Sequence, residues 1–317
     1  MIKNNYFQAA NAVLMIRPCA FFSNPLTAES NRFQGQTHLS KDEQQAQAIR
    51  EFDNFVQVLE TAGIEVFQFL DTPLPVTPDA IFPNNWISFH HNGTVILYPM
   101  EAENRRSERR KDIIHQLNKN NNYLVSKIID LSHYEKQGRY LEGTGSMVMD
   151  HPNQTIYACR SSRTDLGVLD ELAKEINYTV ISFDATDQNG DLIYHTNVMM
   201  SIGNNLSIVC LDAIASLEQQ KLVSSSLQTN KRELLELTSE QMAAFAGNML
   251  EVRTSSGVEL LVMSEQARQS LTCAQIKKIE EYVKIISSPL NNIEASAGGS
   301  ARCMLAEIYL PKQEKNA

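Results

Sequence analysis

Three residues of types that carry out nucleophilic and acid–base chemistry lie in short motifs far apart in the chain. Cys303 follows the small-residue segment GGSAR, His195 lies in YHTNV, and Glu142 lies in LEGTGS. A thiolate is a strong nucleophile, an imidazole transfers protons near neutral pH, and a carboxylate can orient the imidazole or hold substrate N–H groups. The combination predicts addition of sulfur to a planar, nitrogen-rich carbon.

The three motifs belong to a set of five that recurs at intervals of roughly 50 to 57 residues. The other two are PNNWIS, which contains Asn85, and FAGNMLEV, which contains Asn248. A lone cysteine near a chain end is more often a small core residue, so the catalytic prediction depends on this shared spacing. If the repeats form a ring, residues at the same position of each repeat converge.

Each repeat has the same order of predicted elements: strand, turn, strand, helix, strand. Asn92-Gly93 between two apolar runs is a strong hairpin signal. The helix of the first repeat is expected to begin at Ser40, where Ser40 and Glu43 form a capping box, and to stop near Gly63. The other predicted helical stretches cover residues 101–117, 165–176, 213–227 and 265–285.

The two chain ends carry complementary halves of one repeat. The run VLMIRP (residues 13–18) reads as a second strand with no motif strand before it, and RCMLAEIYLP reads as a motif strand with no second strand after it. Pairing of these strands would close the ring and remove two sheet edges. We therefore expect one closed α/β domain over residues 1–317, with an open doubly wound sheet as the alternative.

Composition excludes several partner classes. The formal charge of -9 disfavours nucleic acid as a partner. The five cysteines lack metal-type spacing, which disfavours zinc and predicts reduced thiols. The N-terminal stretch is too interrupted for a signal sequence, and no window approaches about 18 unbroken apolar residues. We expect a cytoplasmic monomer or homodimer that needs no membrane, metal or organic cofactor.

The motifs resemble those of the guanidino-group-modifying superfamily, which includes amidinotransferases, arginine deiminases and dimethylarginine dimethylaminohydrolases. The resemblance spans the chain and implies a five-bladed pseudo-symmetric α/β propeller, the pentein fold. GGSARCM is similar to the glycine-rich loop that ends in the nucleophilic cysteine, which implies that role for Cys303. LEGTGS resembles the segment of the catalytic carboxylate, Glu142, and YHTNV resembles that of the general acid and base, His195.

Departures from the family pattern bear on the substrate. Asn85 stands where dimethylarginine hydrolases have an acidic residue, and Asn197 stands where arginine deiminases have aspartate. Neutral amides favour a neutral ureido group over a guanidinium cation, because an amide NH2 can donate to the ureido carbonyl. The chain is most similar to the citrulline-utilising hydrolase branch. The expected reaction is hydrolysis of citrulline to ornithine, ammonia and CO2, or of arginine, through an S-linked intermediate.

The remaining expectations concern the substrate pocket and the alternatives. Amidino transfer to an amine, or a noncatalytic binding propeller, are the alternative functions. Arg105, Arg106, Arg109 and Arg110 are interpreted as a solvated helix face, and Asn248 as packing or turn structure. The residues expected to bind substrate are Asn85, Asp79, Asn84, Asn197, Arg17, Asn31 and Arg302.

Overall fold

The structure, a computed structural model, describes residues 6–35 and 37–313, so the first five residues of the N-terminal stretch lie outside the described residues. The described ranges hold five three-stranded sheets. The strands are β1 (Ala12–Arg17), β2 (Glu65–Leu70), β3 (Ile87–Phe89), β4 (Thr94–Leu97), β5 (Lys127–Asp130), β6 (Val148–Asp150), β7 (Thr155–Cys159), β8 (Thr179–Phe183), β9 (Met200–Ile202), β10 (Leu206–Val209), β11 (Glu233–Glu236), β12 (Leu250–Arg253), β13 (Glu259–Ser264), β14 (Lys284–Ser288) and β15 (Ala306–Glu307). The α-helices are α1 (Lys41–Thr61), α2 (Lys111–Lys119), α3 (Gly143–Ser146), α4 (Leu166–Ile176), α5 (Leu217–Leu227), α6 (Ser239–Ala243), α7 (Glu265–Ser270), α8 (Cys273–Glu280) and α9 (Asn291–Ala297).

All five sheets have the same internal order. A short inner strand pairs antiparallel with a middle strand, and an outer strand pairs parallel with the middle one, as in the sheet β3-β4-β5. A parallel connection needs a crossover, which a helical segment provides between the middle and outer strands. The inner and middle strands of that sheet are wholly buried, whereas β5 is largely exposed. The predicted repeat of strand, turn, strand, helix and strand is confirmed.

The N-terminal helix begins as the sequence predicts. The Ser40 side chain accepts from the Glu43 N–H, and the Glu43 side chain accepts from the Ser40 N–H, which completes the capping box. The helix ends at Thr61, two residues before Gly63, whose φ of 89° suits glycine. The strand that follows, β2, is the outer strand of its sheet.

Two predicted helices are wrong in extent. The stretch 101–117 is a 3-10 helix, Glu103–Glu108, followed by α2. The stretch 265–285 is divided into α7 and α8, and its last residues belong to β14. The division has a local cause, because Thr272 forms a capping box with Gln275 and starts a new helix.

The two chain ends share one sheet. Strand β15 pairs antiparallel with β1, with Leu14 opposite Ala306, and β2 lies on the other side of β1. This sheet contacts the next one through the bridge between Phe89 and Ile308. It contacts the last one through the bridge between Ala10 and Val252. Between the other sheets, α3 contacts β3, β6 contacts β9, and β9 contacts β12.

The apolar core lies between the sheets and their helices. Trp86, Phe52, Phe55, Tyr157 and Phe183 are among its largest buried side chains. Over residues 6–35 and 37–313, no helix has both the length and the apolar character needed to cross a bilayer.

Candidate active site

The five residues at the same position of each repeat all lie just before an inner strand. Asn85 ends the 3-10 helix Pro83–Asn85 before β3, and Glu142 precedes α3 and β6. His195 begins the turn before β9. Asn248 precedes β12, and Cys303 lies in the 3-10 helix Ala301–Met304 before β15. All five side chains are buried.

Two amide groups donate hydrogen bonds to the cysteine sulfur. Asn248 Nδ2 lies 3.3 Å from Cys303 Sγ, and Asn197 Nδ2 lies 3.5 Å from it. Asn248 Nδ2 also donates to the backbone oxygen of Asn197 at 3.0 Å, and Asn248 Oδ1 accepts from the Arg302 N–H at 3.0 Å. N–H donors directed at sulfur stabilise the negative charge of a thiolate.

The histidine and the glutamate form a buried hydrogen-bonded pair. His195 Nε2 lies 2.9 Å from Glu142 Oε2. Burial lowers the pKa of His195 to about 4, although the hydrogen bond and charge of Glu142 oppose that shift. The imidazole is therefore neutral at pH 7. With its Nε2 proton directed at Glu142, the Nδ1 lone pair is available to accept a proton.

Two buried arginines keep Glu142 ionised. Burial alone would raise its pKa, but Arg163, His195 and Arg105 hold the pKa well below its usual range. Arg163 Nη1 lies 3.3 Å from Glu142 Oε2, and Arg105 Nη1 lies 3.9 Å from it. Glu142 Oε1 accepts from the Glu101 N–H at 3.0 Å. Glu142 is thus a fixed anion behind the imidazole.

The glycines of the LEGTGS motif allow the neighbouring repeats to approach. Gly143 has a φ of 49°, and a Cβ there would collide with the backbone oxygen of Asn84. A Cβ at Gly145 would lie 2.5 Å from Asn85 Nδ2 and 2.8 Å from the His195 ring. Larger residues would push the imidazole and the amide out of place.

Cys303 and His195 line the same cavity. The complete lining is Thr27, Asn31, Asp79, Phe82, Asn85, Arg105, Arg163, Tyr194, His195, Ala297, Gly299 and Cys303.

The interpretation of Arg105 as part of a solvated helix face is wrong. Only 2% of Arg105 is exposed. Its Nη1 donates to Asn85 Oδ1 at 2.9 Å, and its other nitrogens pair with Glu108. Burial raises the pKa of Glu108 to about 8, against the opposing charge of Arg105. In the sequence, the alternating charges of this segment looked like the exposed face of a helix. In the structure, the segment is a 3-10 helix that directs Arg105 into the interior.

Four residues expected to bind substrate do not line the cavity: Arg17, Arg302, Asn84 and Asn197. Arg17 forms a bidentate pair with Asp53 on the partly exposed surface, with its Nε 2.7 Å from the carboxylate. Arg302 is directed away from the sulfur beside it and pairs with Glu307 at 2.8 Å. Asn84 is buried behind Asn85 and accepts from its Nδ2 at 3.0 Å.

Asn85 and Asn197, the amides that led to the expectation of a ureido substrate, form hydrogen bonds within the protein. Asn85 Nδ2 donates to Asn84, and Asn197 Nδ2 donates to the cysteine sulfur. Each of these bonds uses one of the two N–H donors that an amide NH2 group carries. Asp79 keeps a carboxylate in the cavity, and its Oδ2 accepts from Asn24 Nδ2 at 2.7 Å.

Sequence reasoning missed Arg163 and Tyr194 and undervalued Asn248. Arg163 follows the strand β7, in a segment without a motif, and lies 4.9 Å over the Tyr194 ring. Tyr194 directly precedes His195, and its hydroxyl donates to the Gly298 oxygen at 2.8 Å. Only Asn248 carried a signal, because it shares the position of Cys303 and His195 in the repeat.

The other cysteines differ from Cys303 in their surroundings. Cys159 is buried in the core, and burial raises the pKa of its thiol to about 11. Burial also raises the pKa of Cys210. In the described ranges, no group of three or more His, Cys, Asp and Glu side chains is arranged to hold a metal ion.

The chain is thus an α/β protein of five three-stranded sheets, with Cys303, His195 and Glu142 buried together. The sequence model described as "N,N dimethylarginine dimethylhydrolase, eukaryotic" matches residues 17–310. The chain therefore belongs to that family, and with it to the pentein superfamily of guanidino-modifying enzymes. No individual curated protein matches it by sequence.

Solved structures of low sequence identity share the fold. The arginine dihydrolase ArgZ from the ornithine-ammonia cycle in cyanobacteria has a TM-score of 0.73 at 17% identity, covering 96% of this chain and 41% of that one. Unliganded AgrE gives 0.72 at 16% identity, covering 96% and 40%. A histidine-to-glycine variant of dimethylarginine dimethylaminohydrolase, as its adduct with S-methyl-L-thiocitrulline, gives 0.62 at 13% identity, covering 94% and 100%. The chain thus spans about two-fifths of the full ArgZ and AgrE chains.

Proposed function

We propose that the protein is a hydrolase that acts on the guanidino or ureido carbon of an arginine-related amino acid. The observation that carries the proposal is that Cys303 and His195, which precede strands of two different sheets, line one cavity, and that Glu142, before a third sheet, holds the His195 ring. The structural relatives include an arginine dihydrolase and a dimethylarginine dimethylaminohydrolase, whose reactions belong to the same class.

In the first half of the reaction, His195 Nδ1 accepts the thiol proton and Cys303 Sγ attacks the central carbon. The Asn248 and Asn197 N–H groups stabilise the thiolate. His195, now a cation held by Glu142, returns the proton to the departing nitrogen. The C–N bond breaks and leaves an S-linked intermediate.

In the second half, neutral His195 accepts a proton from water as the water attacks the S-linked carbon. The C–S bond breaks, and the proton passes to sulfur or the product. With arginine, one such cycle releases ammonia and leaves citrulline. With citrulline, attack that expels the ornithine amine leaves a carbamate equivalent, which gives ammonia and CO2.

The charges around the cavity match a zwitterionic amino acid. Asp79 and Glu142 supply negative charge, and Arg105 and Arg163 supply positive charge. We propose that Asp79 and the Asn85 amide face the substrate nitrogens and that Arg163, with Asn31, faces the carboxylate. Arg163 suits this role because its planar guanidinium can pair with a carboxylate by two hydrogen bonds.

We further propose that the five sheets are the blades of a closed propeller, as the resemblance implies. The pairing of β1 with β15, together with the contacts from each sheet to the next, supports this arrangement. Closure would place all five inner strands around one axis. The candidate site lies at the start of those strands.

The test is a substrate panel with products identified by mass. Purified protein is incubated separately with arginine, citrulline, N-methylated and N-acylated arginines, and agmatine, and ammonia is measured in parallel. We expect turnover of at least one compound that carries an α-carboxylate. An isotopically labelled amine acceptor in a second series separates hydrolysis from amidino transfer. No product from any compound would contradict the proposal.

A further inference from the structure

The loop that carries the cysteine is tied to a buried carboxyl group that the mechanism does not use. Glu294 lies in α9, and only 2% of it is exposed. Its Oε1 accepts from the Ser300 hydroxyl at 2.5 Å, and its backbone oxygen accepts from the Gly298 N–H at 2.9 Å. A single residue therefore holds both ends of the Gly298, Gly299 and Ser300 segment.

Ser300 in turn sets the position of the nucleophile. Its backbone oxygen accepts from the Cys303 N–H at 3.0 Å, which closes the 3-10 turn that carries the thiol. The path from the carboxyl to the sulfur thus has two hydrogen bonds, one to the Ser300 hydroxyl and one from the Ser300 oxygen.

The loop has no room to take another path. A Cβ at Gly299 would lie 2.7 Å from the Phe82 ring, and one at Gly298 would collide with the backbone of Gln34. The segment therefore packs tightly against these neighbours. A shift at Ser300 would be passed on to Cys303.

The helix that presents Glu294 is itself anchored. The Glu51 carboxylate, from α1, accepts the N–H groups of Asn292 at 2.8 Å and Ile293 at 2.9 Å. Asn292 Nδ2 donates to the Gln44 oxygen at 3.0 Å. Because these bonds satisfy the first turn of α9, the helix is a rigid support for the carboxyl group.

Burial of the Glu294 carboxyl group costs free energy that an apolar side chain at the same place would not. It raises the pKa of Glu294 to about 7, with the hydrogen bond from Ser300 opposing the shift and the charge of Glu51 adding to it. A buried carboxyl group without a cation beside it destabilises the fold unless hydrogen bonds compensate for the lost water. An apolar side chain would fill the same space but could not hold Ser300.

We infer that Glu294 is a positioning residue that holds Ser300, and through it the Cys303 sulfur, in the orientation needed for attack. The kinetic consequence rests on the proposed function, whereas the reactivity of the thiol does not. Loss of the hydrogen bond should lower kcat with little change in KM, since no substrate contact is removed.

The experiment compares Glu294→Ala, Glu294→Gln and Ser300→Ala with the matched control Ser296→Ala, which removes a buried hydroxyl from α9 that bonds only within the helix. The rate of Cys303 alkylation by iodoacetamide is measured by peptide mapping, and kcat and KM are measured with the compound that the panel identifies. Folding is checked by thermal unfolding.

We expect Glu294→Ala and Ser300→Ala to change the alkylation rate and to lower kcat by about tenfold or more. KM should stay within about twofold, and Glu294→Gln, which keeps an acceptor oxygen, should restore most of the loss. Alkylation and kcat like the wild type in Ser300→Ala would overturn the inference, as would Glu294→Gln as impaired as Glu294→Ala. If the wild type hydrolyses nothing, the proposed function fails, and the alkylation rates still decide the positioning role.

Discussion

The sulfur of Cys303 accepts hydrogen bonds from two amide side chains, those of Asn248 and Asn197, and its thiol lies 3.7 Å from Asn248 Oδ1. The sulfur of the buried Cys159 lies 3.4 Å from the Thr196 hydroxyl, and its thiol donates to the Ile193 oxygen. The same residue type thus has two electrostatic environments in one chain. Burial raises the pKa of the Cys159 thiol to about 11, so that thiol stays protonated near neutral pH.

Replacement of Asn248 by aspartate should make Cys303 less reactive. Aspartate keeps the oxygen that accepts from the Arg302 N–H, but it removes the N–H donor and places negative charge about 3.3 Å from the sulfur. We expect the rate of alkylation at pH 7 to fall by about tenfold. Peptide mapping provides an internal control, because the exposed Cys273 should react at the wild-type rate in the same sample.

The buried histidine makes the fold sensitive to acid. The pKa of His195 falls from 6.5 to about 4 in the folded state, so the unfolded chain binds a proton more readily between these values. The contribution of His195 to stability is therefore complete above pH 6.5 and is lost as pH falls toward 4. His90 and His91, with pKa values lowered by burial to about 3 and about 4, act in the same direction.

The variant His195→Asn tests whether His195 lowers the stability of the fold as pH falls. Asparagine keeps a donor for Glu142 but does not titrate, so the unfolding free energy should fall less between pH 6.5 and pH 4 than it does in the wild type. Urea unfolding at several pH values measures the difference. A pH dependence identical to the wild type would show that the His195 pKa is not lowered by folding.

At the scale of elements, the repeat could be predicted because its signals are local. The Ser40 capping box, the Asn92-Gly93 turn and the order of strands and helices all follow from neighbouring residues. The inward turn that buries Arg105 could not, because its partners Asn85 and Asp79 are some 20 and 26 residues away. Arg163 was missed for the same reason, since its contacts with Thr27 and Glu142 exist only after folding.

The short helix α3 should not tolerate a side chain at its first position. In Gly143→Ala, the new Cβ would meet the Asn84 backbone at an unfavourable φ of 49°, and Glu142 beside it would move. We expect a loss of stability and of at least about tenfold in kcat. Gly138→Ala is the matched control: its φ is 65°, but its Cβ would meet open space, so it should cost about 1 kcal/mol and leave kcat unchanged.

At the scale of the whole molecule, the two chain ends complete one sheet, and the sequence predicted this from two unpaired strands. Strand β15 is only two residues long, so much of its anchoring comes from the buried residues after it. Ile308 donates its N–H to the Ala12 oxygen at 2.9 Å and forms a bridge with Phe89. It joins the first sheet to the second.

Truncation of Ile308 should therefore destabilise the whole fold. Ile308 is 1% exposed, and we expect Ile308→Ala to lower the unfolding free energy by about 2–5 kcal/mol. The matched control Ile128→Ala removes the same atoms from a side chain that is 49% exposed, and it should cost less than about 1 kcal/mol. If chemical denaturation shows that Ile308→Ala loses as little unfolding free energy as the control, the C-terminal segment contributes little to the fold.

The proposed function requires Cys303 to be the nucleophile. The most direct measurement compares turnover by the wild type and by Cys303→Ser on whichever arginine-related compound the wild type consumes, with both proteins shown to have the same thermal unfolding. We expect turnover to fall by at least about a thousandfold, because a serine hydroxyl at this position is a much weaker nucleophile than a thiolate. Turnover by Cys303→Ser within about tenfold of the wild type would contradict it.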